Sequence, residues 1–148
     1  MLDSYRELLD IVVQGPTQLK AAAEAAGEPP EGEWGAPQVL AHMAATEHIW
    51  LERLNQLLRE KEPRLRPGGS GKGAEIQEQL MSGTVEDNLE AFNATRGEIV
   101  SLLMGLSLRD WERAGIHDTN GEMSIADVVE TIVDHDAEHV NQLVALSQ

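Results

Sequence analysis

The sequence predicts an all-α protein, a four-helix bundle built from a single domain that spans residues 1–148. Two observations predict this fold class. Four long segments carry apolar residues at spacings of three and four, which place them along one face of a helix. No segment shows the alternating pattern of a strand, and Asn120-Gly121 has no strand pattern on either side. Four helices with one narrow apolar stripe each are typical of a bundle.

The first two helices are separated by a loop rich in proline and glycine. We predict the first helix over residues 2–26, where Leu2 opens the apolar stripe, and expect Gly15-Pro16 to kink or restart it. Residues 27–37 should form the loop. The second helix is predicted from about residue 36 to residue 61 and should end before Pro63, because proline disfavours helical conformation in the residue before it.

Capping patterns mark the starts of the last two long helices. The third begins near Thr84, with Asp87 three residues later, and the fourth opens at Ser124 with Asp127 at the same spacing. Between the second and third helices lies a glycine-rich connection over residues 67–73. A short extra helix is predicted after it, at residues 74–81.

Charge and composition exclude several classes of function. The chain carries 26 acidic and 11 basic residues, for a formal charge of −15, which repels nucleic-acid backbones and anionic membrane surfaces. We therefore expect neither nucleic acid nor a membrane as a partner. The absence of cysteine excludes disulfides, cysteine-ligated metals and a cysteine nucleophile. Any thiol chemistry must use a thiol supplied by a substrate.

The N-terminal residues and the apolar runs carry no targeting signal. The chain begins without the basic start and long apolar run of a signal peptide. The apolar runs are far shorter than the roughly 20 residues that cross a bilayer. We expect a soluble, cytoplasmic protein.

Three of the five histidines fall on stripes that should face the core. His42 lies on the second helix, and His135 and His139 continue the stripe of the fourth. Burying three imidazoles is costly unless each finds a partner, and one shared metal ion would satisfy all three. Residues four apart on a helix have Cβ atoms about 5–6 Å apart, which suits two ligands of one ion. Three histidine ligands would leave open coordination positions, as in catalytic sites.

The histidines can also be understood without a metal ion. A pair spaced like His135 and His139 arises by chance as well, and buried histidines can form hydrogen bonds with neighbours. His48 should point about 120° away from His42 and lie on the surface. His117 falls in a connection, where it either lines the entrance of the site or is a solvated loop residue.

Charged residues near the histidines are candidates for supporting roles. Arg53 and Arg96 fall on core stripes, where they either reach acidic partners such as Glu47 or Glu98 or extend outward to solvent. One acid near the histidines could accept the second imidazole N–H; the candidates are Glu47, Asp134, Asp136 and Glu138. Six basic residues between residues 53 and 72 form a local positive island. It is either a solvated helix end or a binding site for a substrate carboxylate.

The motifs taken together resemble the DinB/YfiT-like superfamily, in particular its DinB-like bundles. The resemblance is carried by residues 34–54 (WGAPQVLAHMAATEHIWLERL) and by residues 111–143, which end in VDHDAEHVNQL. The family pattern places one histidine on the second helix and a His-x-x-x-His pair on the last. These positions correspond to His42, His135 and His139.

The resemblance implies a divalent ion, nickel, zinc or iron, held by the histidine triad. It also implies a homodimer, and thiol-dependent activity in some relatives, whose cosubstrates include bacillithiol and mycothiol. Apolar residues beside the stripes would either widen the core or form a dimer patch: Leu40, Leu51, Leu58, Val129 and Val133.

Two classes of function follow from the resemblance. The first is a metal-dependent transferase that binds a low-molecular-weight thiol, lowers its pKa and directs it at an electrophilic substrate; hydrolysis or isomerisation at the same site is a variant. The second is a non-enzymatic dimeric bundle, such as a stress or metal-binding protein. Glu47, Arg53 and Arg96 are candidate substrate or supporting residues in the enzyme. A coordination position left open on the ion favours an enzyme, whereas a coordination shell filled by protein ligands favours the structural role.

Overall fold

The computed structural model describes residues 3–148, and Leu2 lies outside this range. The described residues form six helices and three short strands. The helices are α1 (Asp3–Ala25), α2 (Ala36–Arg59), α3 (Lys72–Leu80), α4 (Val85–Met104), α5 (Leu108–Trp111) and α6 (Ile125–Ala145). The strands are β1 (Arg64–Leu65), β2 (Ala114–His117) and β3 (Gly121–Ser124). Helices α1, α2, α4 and α6 form the predicted bundle, and α3 is the short helix predicted in the connection between α2 and α4.

Helix α1 continues through Gly15-Pro16 without the restart that the sequence suggested. Pro16 has no N–H, so it cannot donate to the carbonyl of Val12 one helical turn earlier. That carbonyl instead accepts a hydrogen bond from Arg96 Nη1 at 3.0 Å. The side chain of another helix thus satisfies the group that proline leaves free.

The two predicted helix starts are confirmed, and side chains cap both. Thr84 accepts a hydrogen bond from the backbone N–H of Asp87 at 3.1 Å. Ser124 accepts from the backbone N–H of Asp127 at 3.0 Å, and the Asp127 carboxylate accepts from the Ser124 N–H at 2.9 Å. These bonds satisfy N–H groups that have no partner within a helix, and they fix where α4 and α6 begin.

The prediction that Asn120-Gly121 lacks flanking strands is wrong. Strands β2 and β3 pair in antiparallel fashion on either side of this dipeptide, and β1 joins β2 in parallel. Gly121 has φ +77°, a conformation that glycine adopts readily and that the turn requires. The strands are four residues or fewer and contain no regular alternation, so periodicity could not reveal them.

The apolar core consists of two clusters separated by a buried polar layer. One cluster includes Val12, Trp50, Ile99 and Ile132, and the other includes Leu19, Met43, Phe92 and Leu143. On every long helix, the residue of the polar layer lies between members of the two clusters; these residues are Gly15, Glu47, Arg96 and Asp136. Leu40 and Val129 are fully buried in the core, and Leu51, Leu58 and Val133 pack against it.

Arg96 on α4 is the centre of the polar layer and has an exposed fraction of 2%. Its Nε and Nη2 donate to the Glu47 carboxylate at 2.8 and 2.7 Å, and its Nη1 and Nη2 donate to Asp136 at 2.9 Å each. With the bond to the Val12 carbonyl, all five guanidinium N–H groups have acceptors. Burial alone lowers the pKa of Arg96, but its bonds to the two carboxylates outweigh burial and raise it. Arg96 therefore remains charged.

Helices in the described part of the chain are too short or too polar to cross a membrane.

Gly15 provides the room that the polar layer needs. A Cβ atom at Gly15 would lie 2.5 Å from Asp136 Oδ2 and 2.9 Å from Arg96 Nη1. We predict that Gly15→Ala destabilises the protein by about 1–3 kcal/mol, because two interlocked charged groups must shift. Urea unfolding measures this change.

Gly97→Ala is the matched control. A Cβ atom at Gly97, inside α4, meets nothing within 4 Å. This change should stabilise the protein by about 0.5–1 kcal/mol, since alanine loses less conformational freedom in a helix than glycine. Equal effects of the two substitutions would show that the polar layer does not require glycine.

Candidate metal centre

The bundle brings His42, His135 and His139 together. Helix α2 presents His42, and α6 presents the other two one turn apart. His135 Nε2 lies 3.2 Å from His42 Nε2 and 3.1 Å from His139 Nε2. One ligand atom from each residue can be chosen so that all three lie within 4.8 Å of one another. The three side chains that the sequence singled out therefore form one cluster.

Glutamine side chains fix the proton positions of two of these imidazoles. Gln77 Oε1 lies 3.4 Å from His42 Nδ1, and Gln142 Oε1 lies 2.7 Å from His139 Nδ1. An amide oxygen only accepts hydrogen bonds, so each Nδ1 carries the ring proton and donates it. In the neutral rings, Nε2 of His42 and of His139 therefore holds a lone pair directed toward His135.

The two separations from His135 suit a divalent ion, and the three ligand atoms together lie within 4.8 Å of one another. A single proton on His135 Nε2 can satisfy one neighbouring lone pair but not both. Two nitrogens bound to one ion at about 2.0–2.1 Å lie about 2.9–3.4 Å apart for ligand angles between square and tetrahedral values. The separations of 3.1 and 3.2 Å fall within that range. Imidazole nitrogens suit zinc, nickel and iron alike, so these donors do not select among the three metals.

The surroundings keep two of the imidazoles neutral. Burial and the neighbouring His139 and His42 lower the pKa of His135 to about 3. Burial, followed by the influence of His139, also lowers the pKa of His42. Only the neutral ring has the lone pair that a metal needs, so both residues are ready to bind an ion at pH 7.

The carboxylates near the histidines have other partners or lie exposed. Glu47 and Asp136 both bind Arg96, and the second imidazole nitrogens of His42 and His139 contact glutamine oxygens instead. Asp134 and Glu138 are exposed. The acids thus brace the helices that carry the histidines, whereas the two glutamines orient the rings.

Sequence reasoning did not identify the two glutamines as partners. Gln142 follows His139 by three residues, a spacing at which side chains on a helix meet, so this contact could have been found. Gln77 lies on α3, and only the packing of α3 against α2 brings it to His42. No local pattern in the sequence indicates that contact.

Two tryptophans lie beside the cluster. The Trp34 ring centroid is 5.9 Å from that of His42, and the Trp50 ring meets His135 edge-on at the same distance. Trp50 is buried, whereas Trp34, in the loop before α2, is 39% exposed. The rings therefore limit access of water to the imidazoles from these two sides.

The remaining two histidines lie outside the cluster. His48 is half-buried, and its Nε2 is 3.8 Å from Glu52 Oε2. His117 belongs to strand β2 and is only 5% exposed, so the prediction of a solvated loop residue is wrong. The unforeseen hairpin is the reason, because it folds the His117 side chain against α2, where Arg53 Nη2 lies 3.2 Å from His117 Nε2.

The two arginines on core stripes have different partners. Arg96 pairs with Glu47, one of the two acids proposed for it, whereas Glu98 is exposed. Arg53 is 8% exposed, and none of the side chains described from residue 4 onward places a carboxylate within 4.0 Å of it. Its guanidinium lies over the Trp50 ring, 5.3 Å from the centroid.

Comparisons with known proteins bear on the family and the fold. The family model described as the DinB superfamily matches residues 3–143. The solved structure described as "YfiT from Bacillus subtilis is a probable metal-dependent hydrolase with an unusual four-helix bundle topology" matches with a TM-score of 0.84. The two chains are 21% identical, and the match covers 99% of this chain and 87% of YfiT. No curated protein sequence matches the chain.

The lowered pKa of His135 predicts acid sensitivity in the metal-free protein. A histidine in the unfolded chain takes up a proton near pH 6.5, but folded His135 does so only near pH 3. Between these values the unfolded state binds more protons, so the free energy of unfolding falls as the pH falls through this window.

Replacement of His135 by glutamine should make this pH dependence shallower. Urea unfolding in the presence of a chelator, repeated at several pH values, measures the slope. His48→Gln, which lies outside the cluster, is the control. Identical slopes for wild type and His135→Gln between pH 6.5 and pH 3 would contradict the assignment.

Proposed function

Because the chain belongs to the DinB superfamily, we propose that it is a metal-dependent enzyme whose ion is held by His42, His135 and His139. One observation carries this proposal. The Nε2 atoms of the three histidines converge, with separations of 3.1 and 3.2 Å from the central His135. Without a cation, a proton on His135 Nε2 would satisfy only one of the two lone pairs that face it.

The donor set favours catalysis over a purely structural role. Three neutral protein ligands leave positions on an ion open for water or substrate, as in catalytic zinc sites. An ion in such a site lowers the pKa of a thiol or water that binds it and stabilises the anionic nucleophile. Gln77 and Gln142 hold the Nδ1 protons of two imidazoles and so keep their Nε2 atoms directed at the ion.

Thiol transfer is the first candidate activity. The resemblance to thiol-dependent relatives supports it, and the chain has no cysteine, so the thiol would come from a low-molecular-weight cosubstrate of the bacillithiol or mycothiol type. The thiol would release its proton to water, and its sulfur would attack the electrophilic carbon of the second substrate. A carbon–sulfur bond forms, and the leaving group departs with the electron pair of the bond that breaks.

Hydrolysis is the second candidate activity. The observation in its favour is the similarity in fold to YfiT, which is described as a probable metal-dependent hydrolase. Water would then take the place of the thiol as nucleophile. The same three histidines serve both reactions, so the two candidates differ in substrate and not in site.

We also propose a homodimer, on the basis of the family resemblance. Ile11 and Val13 on α1 have exposed fractions of 47% and 49% and are available to an interface. Sedimentation velocity over a wide concentration range should give the mass of a dimer. A monomer at every concentration would rule the dimer out.

Metal content tests the three ligands. Purified wild type should hold about one divalent ion per chain, and the His42→Ala, His139→Ala double variant should lose it. Gln142→Leu should keep the site but bind the ion about 10–100 times more weakly, because His139 loses the acceptor that orients it. His48→Ala is the matched control and should retain full occupancy. Elemental analysis of proteins purified without added metal measures the metal content of each variant. Full occupancy in the double variant would refute the assignment.

Cobalt spectroscopy separates the two activities. If thiol transfer is correct, adding a small thiol to the cobalt-substituted protein should produce a saturable charge-transfer band. The apparent affinity should rise with pH until the bound thiol is fully ionised, because the thiolate is the ligand. His135→Ala should abolish the band, and Lys72→Ala, at the start of α3, should not.

A cobalt spectrum unchanged by any thiol, together with hydrolysis of model esters or amides, would favour the second candidate. A site that binds the ion but neither thiol nor substrate would instead indicate a structural metal.

A further inference from the structure

Arg53 is a buried cation, and no carboxylate among the side chains described from residue 4 onward lies within 4.0 Å of it. It lies on α2 with an exposed fraction of 8%, and its Nε is buried with no hydrogen-bond acceptor among the described residues. Its Nη2 lies 3.4 Å from the Arg66 carbonyl, a long contact. Burying a charge is costly unless it is paired. The contrast with Arg96, whose five N–H groups are all satisfied, shows that this fold can build a complete arginine site.

The contact between Arg53 and His117 joins two donors. The backbone N–H groups of Thr119 and Asn120 both donate to His117 Nδ1, each at 3.1 Å. Nδ1 therefore holds the lone pair, and the ring proton of a neutral imidazole lies on Nε2. That Nε2–H is 3.2 Å from the donor Nη2 of Arg53. Burial and the nearby Arg53 lower the pKa of His117, so the ring is neutral. Neither of these two N–H groups can therefore accept a hydrogen bond from the other.

A cavity of about 490 Å³ opens beside Arg53. Its charged lining comprises four arginines and two glutamates: Arg53, Arg59, Arg64, Arg66, Glu52 and Glu60. Cations outnumber acids here, although the whole chain has a formal charge of −15. Four of the six basic residues of the positive island thus line a concave surface, and one of them, Arg53, is buried in its wall.

We propose that this cavity binds a small molecule through an oxyanion group, a carboxylate or a phosphate, held by Arg53 in its wall, which His117 contacts from behind. An oxyanion supplies the acceptor that Arg53 Nε lacks among the described residues, and it offers Nη2 a closer acceptor than the Arg66 carbonyl at 3.4 Å. A guanidinium holds a carboxylate or phosphate through two parallel hydrogen bonds, which matches the neighbouring Nε–H and Nη2–H groups. The proposal does not depend on a metal ion.

The site is separated from the histidine cluster by one side chain. Trp50 contacts the Arg53 guanidinium, 5.3 Å from its ring centroid, and the His135 ring at 5.9 Å. A small molecule anchored by its anionic group at Arg53 would therefore lie close to the cluster.

Nuclear magnetic resonance tests the proposal on the full-length protein as purified. Acetate and inorganic phosphate are titrated separately at constant ionic strength maintained with sodium chloride. We expect saturable shifts of the Arg53 Nε–H signal and of the Thr119 and Asn120 amides, all with one dissociation constant. Saturation by acetate alone, phosphate alone or both identifies the oxyanion and supports the site. The absence of saturable shifts with both anions would overturn it.

Variants link the shifts to Arg53. Arg53→Met should weaken binding about tenfold or more, because it removes charged hydrogen bonds, whereas Arg109→Met, an exposed arginine on α5, should bind as wild type does. His117→Gln provides a second test if Arg53→Met does not fold, and it should also bind more weakly. Wild-type affinity in His117→Gln and in a folded Arg53→Met would contradict the proposal.

Chelator treatment separates this site from a metal. Shifts that persist after treatment support binding at Arg53. Shifts that disappear when the metal is removed would show that the anion binds the ion instead. That result would refute the proposed anion site but would not contradict the assignment of the metal centre.

Discussion

The ion cluster of Arg96 with Glu47 and Asp136 is the interaction on which the bundle and its site depend. It joins α4 to α2 and α6, and through the Val12 carbonyl it reaches α1. Such a cluster disfavours other registers between the helices, because a shift that separates the partners leaves a buried charge uncompensated. Asp136 adjoins His135, and Glu47 lies on the helix of His42. The register that the cluster sets is therefore also the register that brings the histidines together.

The buried polar groups of this core differ in whether their hydrogen-bond donors and acceptors balance, and this balance separates groups that hold the helices together from groups that can bind a ligand. Arg96 has an acceptor for every N–H, so its site is complete and its role is to hold helices together. The histidine cluster has an excess of lone pairs, which calls for a cation. The pair of Arg53 and His117 has an excess of donors, which calls for an anion. Trp50 lies between these two incomplete sites, 5.3 Å from the Arg53 guanidinium and 5.9 Å from the His135 ring.

Local spacing predicted the long helices and placed the three histidines on stripes that face the core, although the contact of His42 with His135 itself spans 93 residues. Thr84 and Ser124 mark helix starts through contacts only three residues apart, and His135 and His139 share a face by periodicity. The β2–β3 hairpin was missed because its strands are too short for a period. His117 was misplaced with it, and the contact of Gln77 with His42 spans 35 residues. Such features depend on tertiary packing, which residue spacing does not encode.

X-ray absorption spectroscopy of the zinc-loaded protein is the decisive experiment for the histidine site, because it counts the imidazoles on the ion. We expect a first shell of nitrogen and oxygen donors at about 2.0–2.1 Å, with multiple scattering from three imidazole rings. In the His135→Ala variant, any zinc that remains bound should show at most two rings. A wild-type shell made of oxygen donors with one imidazole or none would contradict a metal centre built from His42, His135 and His139.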